Sequence, residues 1–394
     1  MTAHPDIAAL RPIYDVVVVG ARCAGAATAM LLARGGLSVL AVDRSPYGSD
    51  TSSTHALLRG AMVQLVRWGL ADRVRQTGVA LVRQTTFDYG GEAHPIEISP
   101  RDGVSWLAAP RRTVLDALLV DAARDAGATV LHGPRVTGLL RGPDGRVLGV
   151  ELEGRDGSRR QIRAGVVVGA DGAHSTVASL VHAEPYRLGA HAAGVVYGYW
   201  SGVGAGGYEW LFSGRAAVGV IPTNDGAVCV FAGCPAARFL DEIRRDLEIG
   251  YFRLLGEVSP PLMHAAASAR LLGRLRGFAG EPGWMRQSHG RGWALVGDAG
   301  YFKDPITAHG ISDALRDAEL LARALLTGAE RALADYQHER DALSHALFDI
   351  TDEVASFSWT LGRLEALHKQ MSRELNRESA YLAALGRVQE QPCA

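Results

Sequence analysis

The stretch from Tyr14 to Arg44 constrains the fold of this 394-residue chain more than any other. From Asp15 to Val19 it is a nearly continuous apolar, β-branched run, as a strand buried on both faces of a parallel sheet requires, and Gly20 ends it. Small and aliphatic residues then recur at helical spacing (Ala24, Ala27, Thr28, Leu31) until Gly35-Gly36, and a second strand runs from Ser38 to Val42. Strand, turn, helix and strand in that order make a βαβ unit. Its turn reads Gly20-Ala21-Arg22-Cys23-Ala24-Gly25. This is close to G-x-G-x-x-G, in which free N–H groups at a helix N-terminus hold a pyrophosphate. Arg22 stands where the middle glycine would let the backbone approach the phosphates, which puts the phosphate geometry in question. Asp43 lies 23 positions after Gly20, near the separation of about 20 expected for an acid that hydrogen-bonds an adenosine ribose. An acid there favours FAD or NAD over NADP in this pocket.

Composition narrows the partners. The chain is 47% hydrophobic and 21% charged with a formal net charge of −1, so neither a nucleic acid nor an anionic membrane surface is implied. Its length suits two or three domains. Cys23, Cys229, Cys234 and Cys393 lack metal-ligand spacing and are too few for a disulfide framework. No metal is therefore expected, and a reducing, cytoplasmic setting is. Residues 1 to 13 do not read as a signal peptide, and the uncharged stretch His191 to Tyr208 is too broken by glycine for a membrane span. Arginine is abundant while Lys303 and Lys369 are the only lysines, a bias that resembles a GC-rich bacterial genome.

Further along, Ser52, Ser53 or Thr54 is expected to cap a helix from Ala56 to Leu70, with His55 at its boundary either solvated or lining a cofactor. Residues 77 to 110 hold short strands around Gly90-Gly91, foreign to a βαβ pattern and read as an excursion into a second domain. A helix (111–126), a strand (129–132) and a meander with turns at Pro143-Asp144-Gly145 and Arg155-Asp156-Gly157 follow. A buried strand then leads into Asp171-Gly172. From 192 to 233 the pattern is antiparallel, with Tyr197, Tyr199, Trp200, Trp210 and Phe212 read as one aromatic face, and 235 to 276 is mostly helical. A last strand, 293 to 296, enters Gly297-Asp298-Ala299-Gly300, and a helix with one apolar stripe spans Ile311 to Thr327. The remainder reads as helices with mixed faces.

Three glycine-acid elements in this order, each after a buried strand, resemble the FAD-dependent monooxygenase superfamily of the p-hydroxybenzoate hydroxylase type, to which geranylgeranyl reductases and flavin halogenases are related. The resemblance covers roughly residues 14 to 328. It implies an α/β fold: a Rossmann-like FAD-binding domain with a three-layer ββα sandwich (1–76, 108–183 and 286–330), interleaved with an antiparallel-sheet substrate domain (77–107 and 184–285), then C-terminal helices (331–394). It also implies that the Gly20 to Gly25 turn (Gly20, Arg22, Cys23, Ala24, Gly25), Asp43 and Arg44 bind the ADP half of FAD. Arg112 matches the arginine reaching toward the flavin. Asp171 and Gly172 match a motif linked to FAD and to the pyridine nucleotide, and Gly297 and Asp298 the loop holding the ribityl chain. Pro305 would line the flavin's reactive edge, and Gly310, Ile311 and Ser312 would start the helix under its pyrimidine. That helix start offers free N–H groups and a favourable dipole to a reduced, negatively charged flavin. His309 would add to this if protonated, and a buried neutral histidine fits the sequence equally.

Together with His55 and Pro305, His309 completes the candidate catalytic set, and Tyr197, Tyr199, Trp210 and Phe212 are the candidate substrate contacts. The function implied is an NAD(P)H-dependent monooxygenase that inserts one oxygen atom into an aromatic or apolar small molecule through a flavin hydroperoxide. NADPH or NADH would bind transiently, or a separate flavin reductase would supply the electrons. A geranylgeranyl-reductase-like enzyme acting on C=C bonds uses the same cradle, and a flavin-binding module without turnover is kept open by Arg22. Halogenation is disfavoured, since that group relies on a lysine in the first half of the chain and none precedes Lys303.

Overall fold

The computed structural model describes residues 7–328 and 331–387; Cys393 and the two chain ends lie outside the described residues. Its first sheet is built on Ile13–Val19, which pairs in parallel with Val39–Asp43 on one side (Val17 opposite Leu40) and with Arg159–Gly169 on the other (Val17 opposite Val167). Thr129–His132 and Trp293–Leu295 extend the sheet in parallel. Alternation along the central strand explains the layers. Val16 and Val18 point into the cluster that contains the helix Cys23–Arg34, whereas Val17 and Val19 point into a second cluster with Val150, Leu152 and Ile162 of the meander. Helices, parallel sheet and meander thus form the expected three-layer ββα sandwich, with Arg159–Gly169 long enough to serve both sheet layers.

The second sheet is largely antiparallel through Ala193–Ser201, Val228–Pro235, Ala216–Pro222 and Tyr208–Ser213. The hairpin Gln84–Tyr89 and Ala93–Glu97 joins its edge, with Trp210 paired to Phe87 in parallel register. One face packs on the first sheet's helical layer, the other on Leu247–Val258. Tyr197 and Tyr199 lie on the former face. Trp200 does not: strand alternation turns it outward, where it stacks on Tyr251 at 5.9 Å and donates from Nε1 to the Tyr251 hydroxyl at 3.0 Å. The single aromatic face expected from the sequence is corrected by that one residue.

The helix expected from Ala56 to Leu70 begins only at Arg59 and ends at Arg67. Leu57 instead forms a β-bridge with Ala108, and His55 adopts a left-handed φ of 49°. No side chain of 52–54 caps the helix; its N-cap is Leu58. The loop residues Tyr301–Phe302 form a short strand against Trp284–Arg286. Two long helices, Arg331–Ala355 and Leu361–Arg387, close the chain, the second packing on Arg59–Arg67. No described helix is long and apolar enough to cross a membrane.

Candidate functional site

The glycine turn is tight because two of its residues cannot carry a Cβ. Gly20 has φ +98° and sits against the Ala170 carbonyl; a Cβ on Gly25 would fall 1.9 Å from the Gly20 carbonyl oxygen. Gly25→Ala is therefore expected to force the first helix off the sheet, costing about 1–3 kcal/mol in urea denaturation. The displaced helix start should also lose bound dinucleotide, seen as loss of its absorbance after gel filtration. Asp43 closes the turn from below, its carboxylate accepting from Ala21 N (2.8 Å) and Ser45 N (2.8 Å). Arg44 is exposed.

Arg22 does not block the turn. Its backbone is extended (φ −91°, ψ −162°), a conformation that needs no glycine, and its guanidinium folds away onto Asp116 (3.1 Å) and the 49–50 loop. Arg112 makes a two-pronged pair with the same carboxylate (2.9 and 3.0 Å), and Cys23 Sγ donates to it at 3.1 Å. Asp116, absent from the sequence reading, thus holds two arginines beside the helix start. Its only local signal was a position one helical turn after Arg112.

The third loop meets the first here. A Cβ on Gly297 would lie 3.0 Å from Ala24 Cβ, and the neighbouring Asp298 carboxylate has no hydrogen-bond partner among the described residues. Burial pushes the Asp298 carboxyl up to about 6; Asp313 adds to this, and Arg112 and Lys303 oppose it. A partly buried acid without a protein partner, between two cations, suits a ligand rich in hydroxyls. Next along the chain, Pro305 is exposed on a short 3₁₀ turn that Asp304 caps. Gly310, where a side chain would meet open space, begins the helix Gly310–Leu326. Ile311 is buried, and the Ser312 hydroxyl is buried without a partner.

Beneath that helix start lies a cluster of charges. His309 places Nδ1 3.1 Å from Asp313 and 3.0 Å from Lys303 Nζ, and Nε2 2.8 Å from Glu378 of the C-terminal helix. Lys303 also pairs with Asp313, and Arg316 reaches Asp313 (2.9 Å), Asp317 (2.7 Å) and Glu378 (2.7 Å). Burial opposes charge on His309, but Asp313 and Glu378 overcome it and raise its pKa. The donors of His309, Asp313 and Glu378 lie within 4.8 Å of one another. Lys303 and Arg316 already neutralise those carboxylates, so the arrangement is an ion-pair network. Both ring nitrogens of His309 are engaged and the residue is 2% exposed, which makes it part of the network under the helix and not an acid or base open to substrate.

His55 is brought elsewhere, to the sheet. Its Nε2 lies 3.0 Å from the Tyr199 hydroxyl and the rings stack at 5.5 Å. Burial, helped by Arg111 and Arg112, drops its pKa to about 3, so it is neutral. Arg111 lies 3.6 Å over the Tyr199 ring and pairs with Asp50. Tyr197 Oη accepts from Ser53 N at 3.2 Å, tying the same loop to the sheet. Trp210 and Phe212 lie farther along this face: Trp210 donates to Thr85, and Phe212 packs on Tyr89, Trp359 and His368. The four aromatics therefore split: Tyr197 and Tyr199 beside the 50–55 loop, Trp210 among Tyr208, Phe231 and Thr85, and Phe212 against His368 of the C-terminal helix.

Asp171 serves its own helix, accepting from the Ser175 hydroxyl (2.5 Å) and Thr176 N (2.6 Å), with Gly172 at φ +83°. Its Cα lies 3.0 Å from where a Gly20 Cβ would be, so it borders the turn without offering a free carboxylate.

Against known proteins, a sequence model of the FAD binding domain matches residues 13–228. A menaquinone reductase of Mycolicibacterium smegmatis is 29% identical over 346 residues, covering 80% of this chain and 76% of that protein. Among solved structures, the flavin-dependent brominase Bmp2 superposes with a TM-score of 0.79 at 18% identity, covering 96% of this chain and 98% of that one. The p-nitrophenol 4-monooxygenase PnpA of Pseudomonas putida DLL-E4 gives a TM-score of 0.78 at 19% identity, covering 98% and 100%. At those identities the two structures establish a shared fold.

Proposed function

The chain belongs to the FAD binding domain family and is an FAD-dependent oxidoreductase, and from that premise we propose that it is an NAD(P)H-dependent monooxygenase acting on an aromatic or apolar small molecule. The observation that supports this reading is the close approach of the three loops: Gly297, beside the partnerless Asp298, lies against Ala24 of the glycine turn and Ala314 of the helix that starts at Gly310. Its donors and acceptors fit FAD in order: N–H groups for the pyrophosphate, Asp43 for the ribose, Asp298 for the ribityl hydroxyls and the helix N-terminus for the ring. Arg22 keeps clear of the turn and so supports cofactor binding rather than a degenerate site.

Bound there, FAD supplies the two-electron chemistry. The chain's own residues orient and protect it. The dipole and N–H groups at Gly310 favour negative charge on the ring. Pro305 lines the open edge, and Tyr197 and Tyr199, buried behind the 50–55 loop, back the apolar wall on the substrate side. The Tyr199 hydroxyl, 3.0 Å from Nε2 of neutral His55, ties the 50–55 loop to this face and fixes the orientation of both rings. Halogenation is not proposed, because Lys303 is locked in the ion-pair network.

A second reading, reduction of a C=C bond, is favoured by the sequence relationship to a menaquinone reductase. One experiment separates the two. NADPH and NADH oxidation by the yellow, FAD-loaded protein is followed with and without oxygen over a panel of phenols and polyprenyl quinones. A monooxygenase consumes oxygen with substrate and places one atom of labelled O₂ in the product. Anaerobic turnover yielding a saturated product would replace the first reading with the second.

A further inference from the structure

The six charges under the Gly310 helix start are almost wholly withdrawn from water: Lys303, His309, Asp313, Arg316, Asp317 and Glu378 have side chains no more than 3% exposed. Five of them come from one local segment, residues 303 to 317. The sixth, Glu378, comes from the C-terminal helix, more than 60 residues later, and faces both His309 and Arg316. Isolated buried charge is so costly that such clusters approach neutrality. With Lys303 and Arg316 positive and Asp313, Asp317 and Glu378 negative, a proton on His309 brings the cluster to neutrality. Both ring nitrogens then have a carboxylate acceptor, Asp313 at 3.1 Å and Glu378 at 2.8 Å.

The groups facing His309 come from every element around it. Lys303, from the preceding loop, and Asp313, from its own helix, act on it directly, and Tyr301, Asp298, Arg316 and Asp317 act through Asp313. Glu378 is on the C-terminal helix, and Arg340 and Tyr336 act at one remove through Asp317. Lys303 opposes the imidazolium and the two carboxylates favour it. Asp313 is the stronger of the two and is shared with Lys303 and Arg316; Glu378, shared with Arg316 alone, is the carboxylate on Nε2 and the one brought in from outside the local segment.

We propose that Glu378 is a positioning residue that holds His309 as an imidazolium at the N-cap of the helix on which the flavin rests, and so raises the reduction potential of bound FAD. The C-terminal helix thereby sets the electronics of the flavin through His309. A cation at a helix N-terminus adds to the positive end of the dipole, and reduced flavin is the more negative redox state, so it is the state favoured. This rests on the placement of FAD argued above.

The test has two readouts on Glu378→Gln, Glu378→Asp and His309→Gln. In the full chain without cofactor, nitrogen-15 NMR of the histidine rings is expected to show His309 protonated through neutral pH in wild type and in Glu378→Asp, and neutral in Glu378→Gln. In the FAD-loaded protein, Glu378→Gln and His309→Gln are each expected to lower reduced-over-oxidised FAD affinity about ten-fold, a fall of about 30 mV for a two-electron couple. The double variant should lose no more than either alone. Glu378→Asp should restore most of the potential, which a merely structural role would not predict. Should Glu378→Gln fail to fold, the aspartate variant and His309→Gln carry the same comparison. A neutral His309 in wild type, or an unchanged potential in the single variants at normal FAD affinity, overturns the proposal alone. Wild-type protein that takes up no FAD overturns the cofactor placement, and the potential argument with it.

Discussion

Arg316→Met is expected to destabilise the protein by about 3–5 kcal/mol, the cost of removing one partner from a buried ion cluster. Arg316 is fully buried and contacts three carboxylates, those of Asp313, Asp317 and Glu378, at 2.7 to 2.9 Å. Methionine fills similar space but leaves the acids to be neutralised by Lys303 and His309 alone, so protons must be taken up or water admitted. The effect should shrink as pH falls, because protonating the stranded carboxylates relieves the unbalanced charge. Arg73→Met removes an ion pair of comparable length (2.9 Å) whose side chains are 38% and 68% exposed, and should cost less than about 1 kcal/mol. Urea denaturation of the two variants beside wild type checks the contrast; a loss under about 1 kcal/mol for Arg316→Met would mean the cluster is hydrated.

Asp298→Ala is expected to weaken FAD binding about ten- to a hundred-fold while leaving the fold intact. Hydrogen bonds to a charged acceptor contribute about 1.5–3 kcal/mol, and each 1.4 kcal/mol is about a factor of ten in affinity. Equilibrium dialysis or flavin fluorescence gives the number, and full flavin occupancy at sub-micromolar concentration in the variant would remove Asp298 from the site. The protein without cofactor should respond in the opposite sense. Burial raises the Asp298 pKa from 3.8 to about 6, so the folded state binds its proton more tightly than the unfolded state. Stability contributed by that proton is present below about pH 4 and is lost as pH rises to about 6. Asp298→Asn cannot titrate, so it should gain on wild type across this window and hold a steady advantage above it. Thermal denaturation from pH 4 to 8 reads the difference directly. With FAD placed as proposed, an acid that is costly to the empty fold would be retained for the loaded one.

The sequence by itself determined the βαβ turn, the order of the three glycine-acid loops, the longer strands of both sheets and the helix after Gly310, but not the short strands Arg270–Leu271, Arg276–Phe278 and His289–Gly290. Each depends on neighbours within a few residues: apolar alternation, a glycine at a forced φ, or an acid at a strand end. What escaped depends on distant partners. The apolar stripe of 311–327 says nothing of partners for Asp313, Arg316 and Asp317; the packing of Arg331–Ala355 on that helix, and Glu378 reaching in from Leu361–Arg387, supply them. Ala56 to Leu70 has helical composition, yet the bridge of Leu57 to Ala108 holds its start extended, because tertiary pairing outweighs a propensity of a few tenths of a kcal/mol per residue. Arg22 reads as damage to a motif until Asp116 is seen taking its side chain away. Local chemistry chose the elements. Burial, which requires that every charge find a partner from wherever the chain can bring one, decided how the site is wired.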